Sequence, residues 1–361
     1  ILLSLLQPLF FFQATASPFF EADTSAPGQS ALQYIDPTIG NIGRLLEPTR
    51  PTAQLPNQLI RVYPIRKDYL DDRISGFPLT AVSHRLGEVF SVKPGIAPPD
   101  PEEWNRQMPY DHDLEITRPW YYSTYLIRDG ITVEFAPGKK TGYYRFTFPP
   151  GKNKSILLSG LNDDESTWHF LSSAAIEGTE IWHGDVKIYM YGEFSAAGSP
   201  EISENGQLKN GTSVSGKTAR VRIGFAEALH RVDFKYAISF VSPEQARKNF
   251  EEEIRLQDFN TTKKHAEAAW SAIVSRIQVH GGTEAQKRSF YTALYRCHER
   301  MVDITEDSQY YSGFDKKIHS DPRPFYVDDW SWDTYLALHP LRMLLHPKQE
   351  EDMLQSYVRM Y

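Results

Sequence analysis

One cysteine, Cys297, stands among 361 residues, which excludes a disulfide framework and any metal site built on paired thiolates. Basic residues are also in deficit, 39 against 46 acidic, for a formal net charge of −7. No basic stripe exists that could neutralise a phosphate backbone, so nucleic acid is not an expected partner. Long apolar runs are missing too. The segment 1–12 (ILLSLLQPLFFF) is too short to cross a hydrocarbon core of about 30 Å as a helix, and no later stretch approaches the ~20 residues required. No membrane span is expected. The chain carries no GxGxxG, Walker loop, GxSxG or HExxH pattern, which leaves nucleotide binding, serine-hydrolase chemistry and a zincin site without support.

What the chain has in excess is aromatic side chains, 13% of the total, with 20 Tyr, 20 Phe and 7 Trp. Aromatic faces stack on sugar rings, and they also fill β-sandwich cores. The apolar run 1–12 is followed by Ala14-Thr15-Ala16, which reads as the core and cleavage site of an incomplete signal peptide over 1–16 and predicts an exported protein.

From Tyr34 to about Ser242 short runs rich in Val, Ile, Tyr, Phe and Thr alternate with Gly, Pro, Asn and Asp, the pattern of strands without intervening helices. A β-sandwich over 31–242 is predicted. Asp129-Gly130 between 120–128 and 131–135 suits a two-residue type I′ hairpin turn. The pattern switches at Ser242-Pro243-Glu244-Gln245, a helix start with a capping box. Helices are expected over 244–257 and 262–277, the second with Ala266, Ala269, Trp270, Ile273 and Ile277 on one face. Together they make a helical linker over 243–282. A second capping box, Thr283 to Gln286, opens a helix through Phe290, Leu294 and Cys297, whose spacing suggests buried packing for the thiol. Helices are predicted to dominate the rest, with segments over 334–345 and 348–361 separated by His346-Pro347. The region 283–361 then reads as the beginning of a further, truncated domain.

The segment 325–340, FYVDDWSWDTYLALHP, gathers two Trp and three Asp ahead of a helix. A Trp face packs against the C–H face of a pyranose while a neighbouring carboxylate accepts hydrogen bonds from its hydroxyls, and Trp332 beside Asp333 has that chemistry. Asp333 could equally be the N-cap of the 334–345 helix, with Trp332 a packing residue. Asp111-His112-Asp113 and Asp163-Asp164-Glu165 place hard oxygen ligands together but lack EF-hand spacing, so they read as solvated turns. His84, His169 and His183 show no ligand spacing.

Three stretches, in order and at matching distances, resemble glycoside hydrolase family 92. Tyr34-Ile35-Asp36-Pro37-Thr38-Ile39-Gly40 is similar to that family's opening Y-V-D-P-x-I-G. Gly281-Gly282-Thr283 through Phe290-Tyr291-Thr292-Ala293-Leu294-Tyr295 is similar to its G-G-x-x-x-Q-x-x-x-F-Y-x-A-L-Y. Trp332-Asp333-Thr334-Tyr335-Leu336-Ala337-Leu338-His339-Pro340 is similar to its W-D-T-[FY]-x-A-x-H-P.

The resemblance implies a multi-domain β plus α protein: an N-terminal β-sandwich, a helical linker and the start of a truncated (α/α)6 barrel. It implies exo-hydrolysis of α-linked mannose with inversion, assisted by calcium, on an α-mannoside oligosaccharide or glycoprotein glycan. By the motif match Trp332 and Asp333 would line the subsite for the terminal mannose. The catalytic acid and base and most calcium ligands would lie beyond Tyr361, so no catalytic residue or metal ligand is assigned here. Two departures touch substrate choice. Residues 41–56 replace a glycine-rich stretch, and Ser83-His84-Arg85-Leu86-Gly87-Glu88 is a reduced form of the family's S-H-x-H-L-S-G-x-G loop, which leaves His84 as a candidate substrate contact. Two alternatives keep the architecture: a non-catalytic carbohydrate-binding protein, and an (α/α)6 glycoside phosphorylase, which would need a phosphate-binding cluster and no calcium.

Overall fold

The computed structural model describes residues 31–42, 50–82, 87–96, 98–162, 164–204, 206–217 and 219–360. The expected signal segment 1–16, His84, Asp163 and Tyr361 lie outside them.

Two antiparallel sheets face one another. The larger has nine strands in the order Ser213–Lys217, Glu165–Phe170, Ala175–Trp182, Val186–Phe194, Arg231–Ser239, Thr141–Thr147, Ile131–Pro137, Tyr121–Leu126 and Ile116–Arg118. The smaller has six, Gln207–Asn210, Ser199–Glu204, Arg220–Phe225, Lys154–Ser159, Glu88–Gly95 and Phe77–Ala81. Alternation along each strand puts one set of side chains into the space between the sheets, where Tyr144, Phe146, Val133, Phe135, Ile188, Met190, Phe234 and Trp168 form the main core with Ile156, Leu158 and Val92 opposite. The predicted sandwich is observed.

The other face of the nine-stranded sheet is apolar as well. Tyr121, Ala136, Tyr143, Tyr191 and Ala237 point away from the six-stranded sheet into a second core. Two helices cover them, α1 (Pro243–Glu253) and α2 (Phe259–Val274), and α3 (Glu284–Arg296) joins the same core by packing on α2. Phe250 of α1 meets Tyr191 edge-on at 5.1 Å, and Phe259 of α2 meets Tyr143 at 5.3 Å. The buried stripe of α2 is Phe259, Thr262, Ala266, Trp270 and Val274, an i, i+4 progression. It differs from the expected face at Ala269, which is only partly buried, and at Ile273 and Ile277, which pack only at its margin.

Helix starts follow the sequence closely. Thr283 and Gln286 form the reciprocal capping box expected for α3. At α1 the Ser242 hydroxyl accepts from Gln245 N at 3.1 Å, but the Gln245 amide does not return to Ser242. Ser242 N donates to Ser239 Oγ at 3.3 Å instead, and Gln245 Nε2 donates to Asn249 Oδ1 at 3.0 Å and Asp307 Oδ2 at 2.9 Å, partners the local pattern could not reveal. Three further expectations are corrected. Leu126 pairs with Ile131, so the hairpin connection is the four residues 127–130. Only Gly130 there has positive φ, 70°, whereas a type I′ turn needs two such residues. Asp129 is instead drawn inward towards Arg106, 3.4 Å away. On α3, Phe290 is exposed and Cys297 is only partly buried, because the covered face is Tyr291, Thr292, Leu294 and Tyr295. Finally, helices do not follow α3 directly. Antiparallel pairs intervene, Gln309–Ser312 with Lys317–Ser320 and Val302–Asp303 with Tyr326–Val327, before α4 (Ser331–Thr334), α5 (Leu338–Leu345) and α6 (Pro347–Arg359).

Just past α3, His298 is fully enclosed. Its Nδ1 lies 3.0 Å from Leu294 O; a carbonyl can only accept, so Nδ1 carries the proton and Nε2, which has no partner, is bare. Burial first, then the nearby His346, Arg342 and Arg276, push the imidazole down to about 4. An unfolded histidine titrates near 6.5, so the unfolded chain binds the extra proton between those values. This contribution to stability is complete above about pH 6.5 and is lost as pH falls towards 4. Urea denaturation should therefore give about 2–3 kcal/mol less stability from this group at pH 4.5 than at pH 7.5. His298→Asn, which keeps a donor to Leu294 O and cannot titrate, should flatten that slope; an unchanged slope would remove His298 as its source.

Candidate functional site

Two contacts matter for the segments singled out in the sequence. Tyr34 stacks on Tyr291 with ring centroids 5.7 Å apart, Asp36 N donates to Thr292 Oγ1 at 2.9 Å, and Arg296 Nη2 donates to Pro37 O at 2.7 Å. The opening segment is thus a wedge held on α3. Behind it, the Trp270 indole donates to Gln54 O at 2.7 Å and the Tyr295 hydroxyl to Thr52 O at 2.9 Å. These bonds align the short strand Arg61–Val62 with the strand Phe77–Ala81, where Thr80 Oγ1 accepts from Arg61 N at 3.2 Å.

Arg61 carries the second contact. Its Nε donates to Ala81 O at 2.9 Å and its Nη1 pairs with the Asp328 carboxylate. Both side chains are buried, 4% and 9% exposed. Asp328 has φ of 67°, a left-handed conformation that Asp tolerates better than most residues. One guanidinium therefore ties the end of a sandwich strand to the start of the Trp-rich segment. Just past Ala81, Val82 N donates to Gly87 O at 2.7 Å.

Past Asp328 the chain makes the one-turn helix α4. Asp333 lies inside it and is not the N-cap of a helix over 334–345, because that stretch is broken into α4 and α5 with Trp330 and Ala337 at the cap positions. The break is stabilised by Thr334 Oγ1, which donates to Asp329 Oδ2 at 2.9 Å. Trp332 is not a packing residue either. It is 70% exposed, and its indole stacks on Trp330 at 5.9 Å and 30°. Asp333 beside it is exposed, with a carboxylate that takes no hydrogen bond from the described residues. An open indole face next to a free carboxylate is the arrangement that receives a polyhydroxylated ring.

Beneath this surface lies a polar cluster that the sequence did not single out. Asp329, His339 and Glu350 are all buried, and His339 Nδ1 is 2.6 Å from Glu350 Oε1. Burial alone would raise the Asp329 carboxyl, but hydrogen bonds from Tyr357, Thr334 and His339 outweigh it and hold the group below the usual carboxylate range. Glu350, with fewer donors, is pushed up by burial. The signals available were the doubled Asp at 328–329 and the His339-Pro340 pair, which falls in the first turn of α5; the partner glutamate, eleven residues on, carried none.

The other acidic turns are structural. Asp111 Oδ1 accepts from Asp113 N at 2.9 Å, and Asp164 Oδ2 accepts from Gly184 N at 2.8 Å. His169 is exposed on a strand and His183 sits in a turn with φ of 51°. Among the described residues no three His, Cys, Asp or Glu side chains gather as a cation would require. These residues do not fit a calcium site, and no step is derived through that ion. Nor is any helix here long and apolar enough to cross a membrane.

Comparison with known proteins gives a consistent picture. The sequence profile of the glycosyl hydrolase family 92 N-terminal domain matches residues 34–239, and that of the family 92 catalytic domain matches 245–361. A protein of Arthroderma benhamiae described as an uncharacterized secreted glycosidase is 26% identical over 241 residues, covering 56% of this chain and 31% of that protein. Two solved structures from Bacteroides thetaiotaomicron superpose closely. One, a family 92 inverting mannosidase, has a TM-score of 0.84 at 23% identity, covering 92% of this chain and 48% of its own. The other, a family 92 α-mannosidase, has a TM-score of 0.85 at 24% identity, covering 92% and 49%. The chain spans about half the length of these structures and about a third of the fungal relative.

The buried ion pair and the exposed ring predict different outcomes for two substitutions. Arg61→Ala breaks the buried ion pair with Asp328 and should cost about 3–5 kcal/mol of folding stability. Trp332→Ala removes an exposed ring and should change stability by less than about 0.5 kcal/mol. Urea midpoints for the two variants decide this; equal losses would sink the division of labour drawn here.

Proposed function

The chain belongs to glycosyl hydrolase family 92, and on that premise we propose that it is part of an exported glycosidase that removes terminal α-linked mannose from N-glycans or mannans with inversion. The observation that carries this reading is the exposed Trp332–Asp333 pair, set on α4 at the position the family motif assigns to the terminal sugar. The indole would cover the apolar face of the ring and the carboxylate would accept from vicinal hydroxyls. A secreted relative and the apolar segment at 1–12 support export.

An inverting hydrolysis requires an acid and a base about 6.5–9.5 Å apart with a water between. None of this chain's residues is assigned either role, and Asp328 and Asp329 are unsuited to them because both are consumed by buried partners. Helices α4 to α6 would begin the (α/α)6 barrel, and calcium dependence is proposed for the complete protein. His84 is proposed from the motif match as a contact to the sugar on the leaving-group side. Residues 1–361 alone are expected to be inactive.

The test is an assay of the full reading frame containing these residues on α-1,2-, α-1,3- and α-1,6-linked mannobiose, with calcium and with EDTA, following the anomer released. Calcium-dependent release of β-mannose is expected. Asp333→Asn should then lower kcat/KM by about 10–100-fold, the worth of a hydrogen bond to a charged group. No release from any linkage would overturn the reading.

A further inference from the structure

A four-residue helix has too few internal hydrogen bonds to hold its own shape, so the orientation of Trp332 and Asp333 must be imposed from outside α4. The buried cluster beneath it is placed to do this. Asp329 Oδ2 takes Thr334 Oγ1 at 2.9 Å and the Tyr357 hydroxyl of α6, and lies 3.3 Å from His339 Nε2 on α5. Asp329 and Thr334 bracket the turn that displays the pair. His339 is engaged at both ring nitrogens, Nε2 also lying 3.1 Å from Thr334 Oγ1 and Nδ1 2.6 Å from Glu350 Oε1, so the ring cannot rotate without losing a bond. Arg342 stands behind as the compensating cation. Its charge offsets those of Glu350 and Asp329 at longer range, and its Nη2 donates to Cys297 O at 2.9 Å, which fastens α5 to the end of α3.

We infer that Asp329, locked by His339 and Glu350, is a positioning residue for the Trp332–Asp333 pair. The carboxylate acts through Thr334 and the α4 backbone and touches no substrate itself. Its kinetic consequence rests on the glycosidase reading; its structural consequence does not. A carboxylate that holds three donors from three segments fixes the turn, and a misplacement of about 1 Å at a reacting centre costs about 10²-fold in rate.

Asp329→Asn, Glu350→Gln, His339→Gln and His339→Ala, with Tyr357→Phe as the mild variant should the others fail to fold, are made in the full reading frame. Hydrogen exchange reads the turn without any substrate, at the amides of Asp333, Thr334 and Tyr335, which bond to Trp330 O and Ser331 O. Exchange there is expected to accelerate at least about tenfold, the loss of one charge-assisted hydrogen bond, with the sandwich strands unchanged. On the α-mannobiose that the unsubstituted protein cleaves, kcat should fall about 10–100-fold with a smaller change in KM, and His339→Gln, which keeps a side-chain N–H, should retain more activity than His339→Ala. Unchanged exchange, or a folded variant that loses only thermal stability and keeps kcat/KM within about twofold, well inside the tenfold step that 1.4 kcal/mol represents, would overturn the inference. If the unsubstituted protein cleaves no mannoside, the substrate reading fails while exchange still decides whether Asp329 fixes the turn.

Discussion

A sheet that is apolar on both faces cannot be left half-covered, and the nine-stranded sheet is such a sheet. Its strand Thr141–Thr147 sends Tyr144 and Phe146 towards the six-stranded sheet and Tyr143 the other way, and Val186–Phe194 does the same with Met190 and Tyr191. Apolar area left in water costs about 25 cal/mol per Å², which several outward-facing aromatics multiply. Helices α1 and α2 meet that demand with Phe250, Phe259 and Trp270. The sandwich and the helices after it are therefore joined through a shared core.

That core determines what lies further along the chain. With α2 pinned to the sheet and α3 packed on α2, Tyr34 to Gly40 has a surface to pack on, and Gln54 and Thr52 have indole and phenol donors to receive. Asn57 continues the line, its side-chain amide donating to Met301 O at 2.8 Å. Arg61, four residues on, is then in place to meet Asp328. A continuous series of buried hydrogen bonds thus runs from the sheet to the exposed Trp pair. Burial strengthens each of these bonds and makes each unpaired alternative costly. The candidate site inherits its position from the sandwich although it stands on the helical side.

Much of this was legible in the residues. The strands around Tyr144, Ile156 and Phe234 announced themselves by β-branched and aromatic runs between turn residues. The starts of α1 and α3 followed from Ser242 and Thr283, whose hydroxyls act within three residues of themselves. Trp332 and Asp333 stood out as an aromatic beside a carboxylate, and their exposure is what that pairing needs. Failures fell where a side chain had a distant competitor. Gln245 left its capping box for Asp307, and Asp129 left its turn for Arg106. Asp333 lost its cap position because Thr334 was engaged by Asp329.

By itself, then, the sequence determined the elements whose causes are local: period-two strands, capped helix starts, and the surface chemistry of one Trp-Asp pair. Only the tertiary structure decided which charges are satisfied and which residues hold that pair in place. Arg61 and Asp328 are 267 residues apart along the chain, and His339 finds Glu350 across two different helices. Nothing in the neighbourhood of either residue encodes the other, because a buried ion pair is specified by the packing that removes both partners from water.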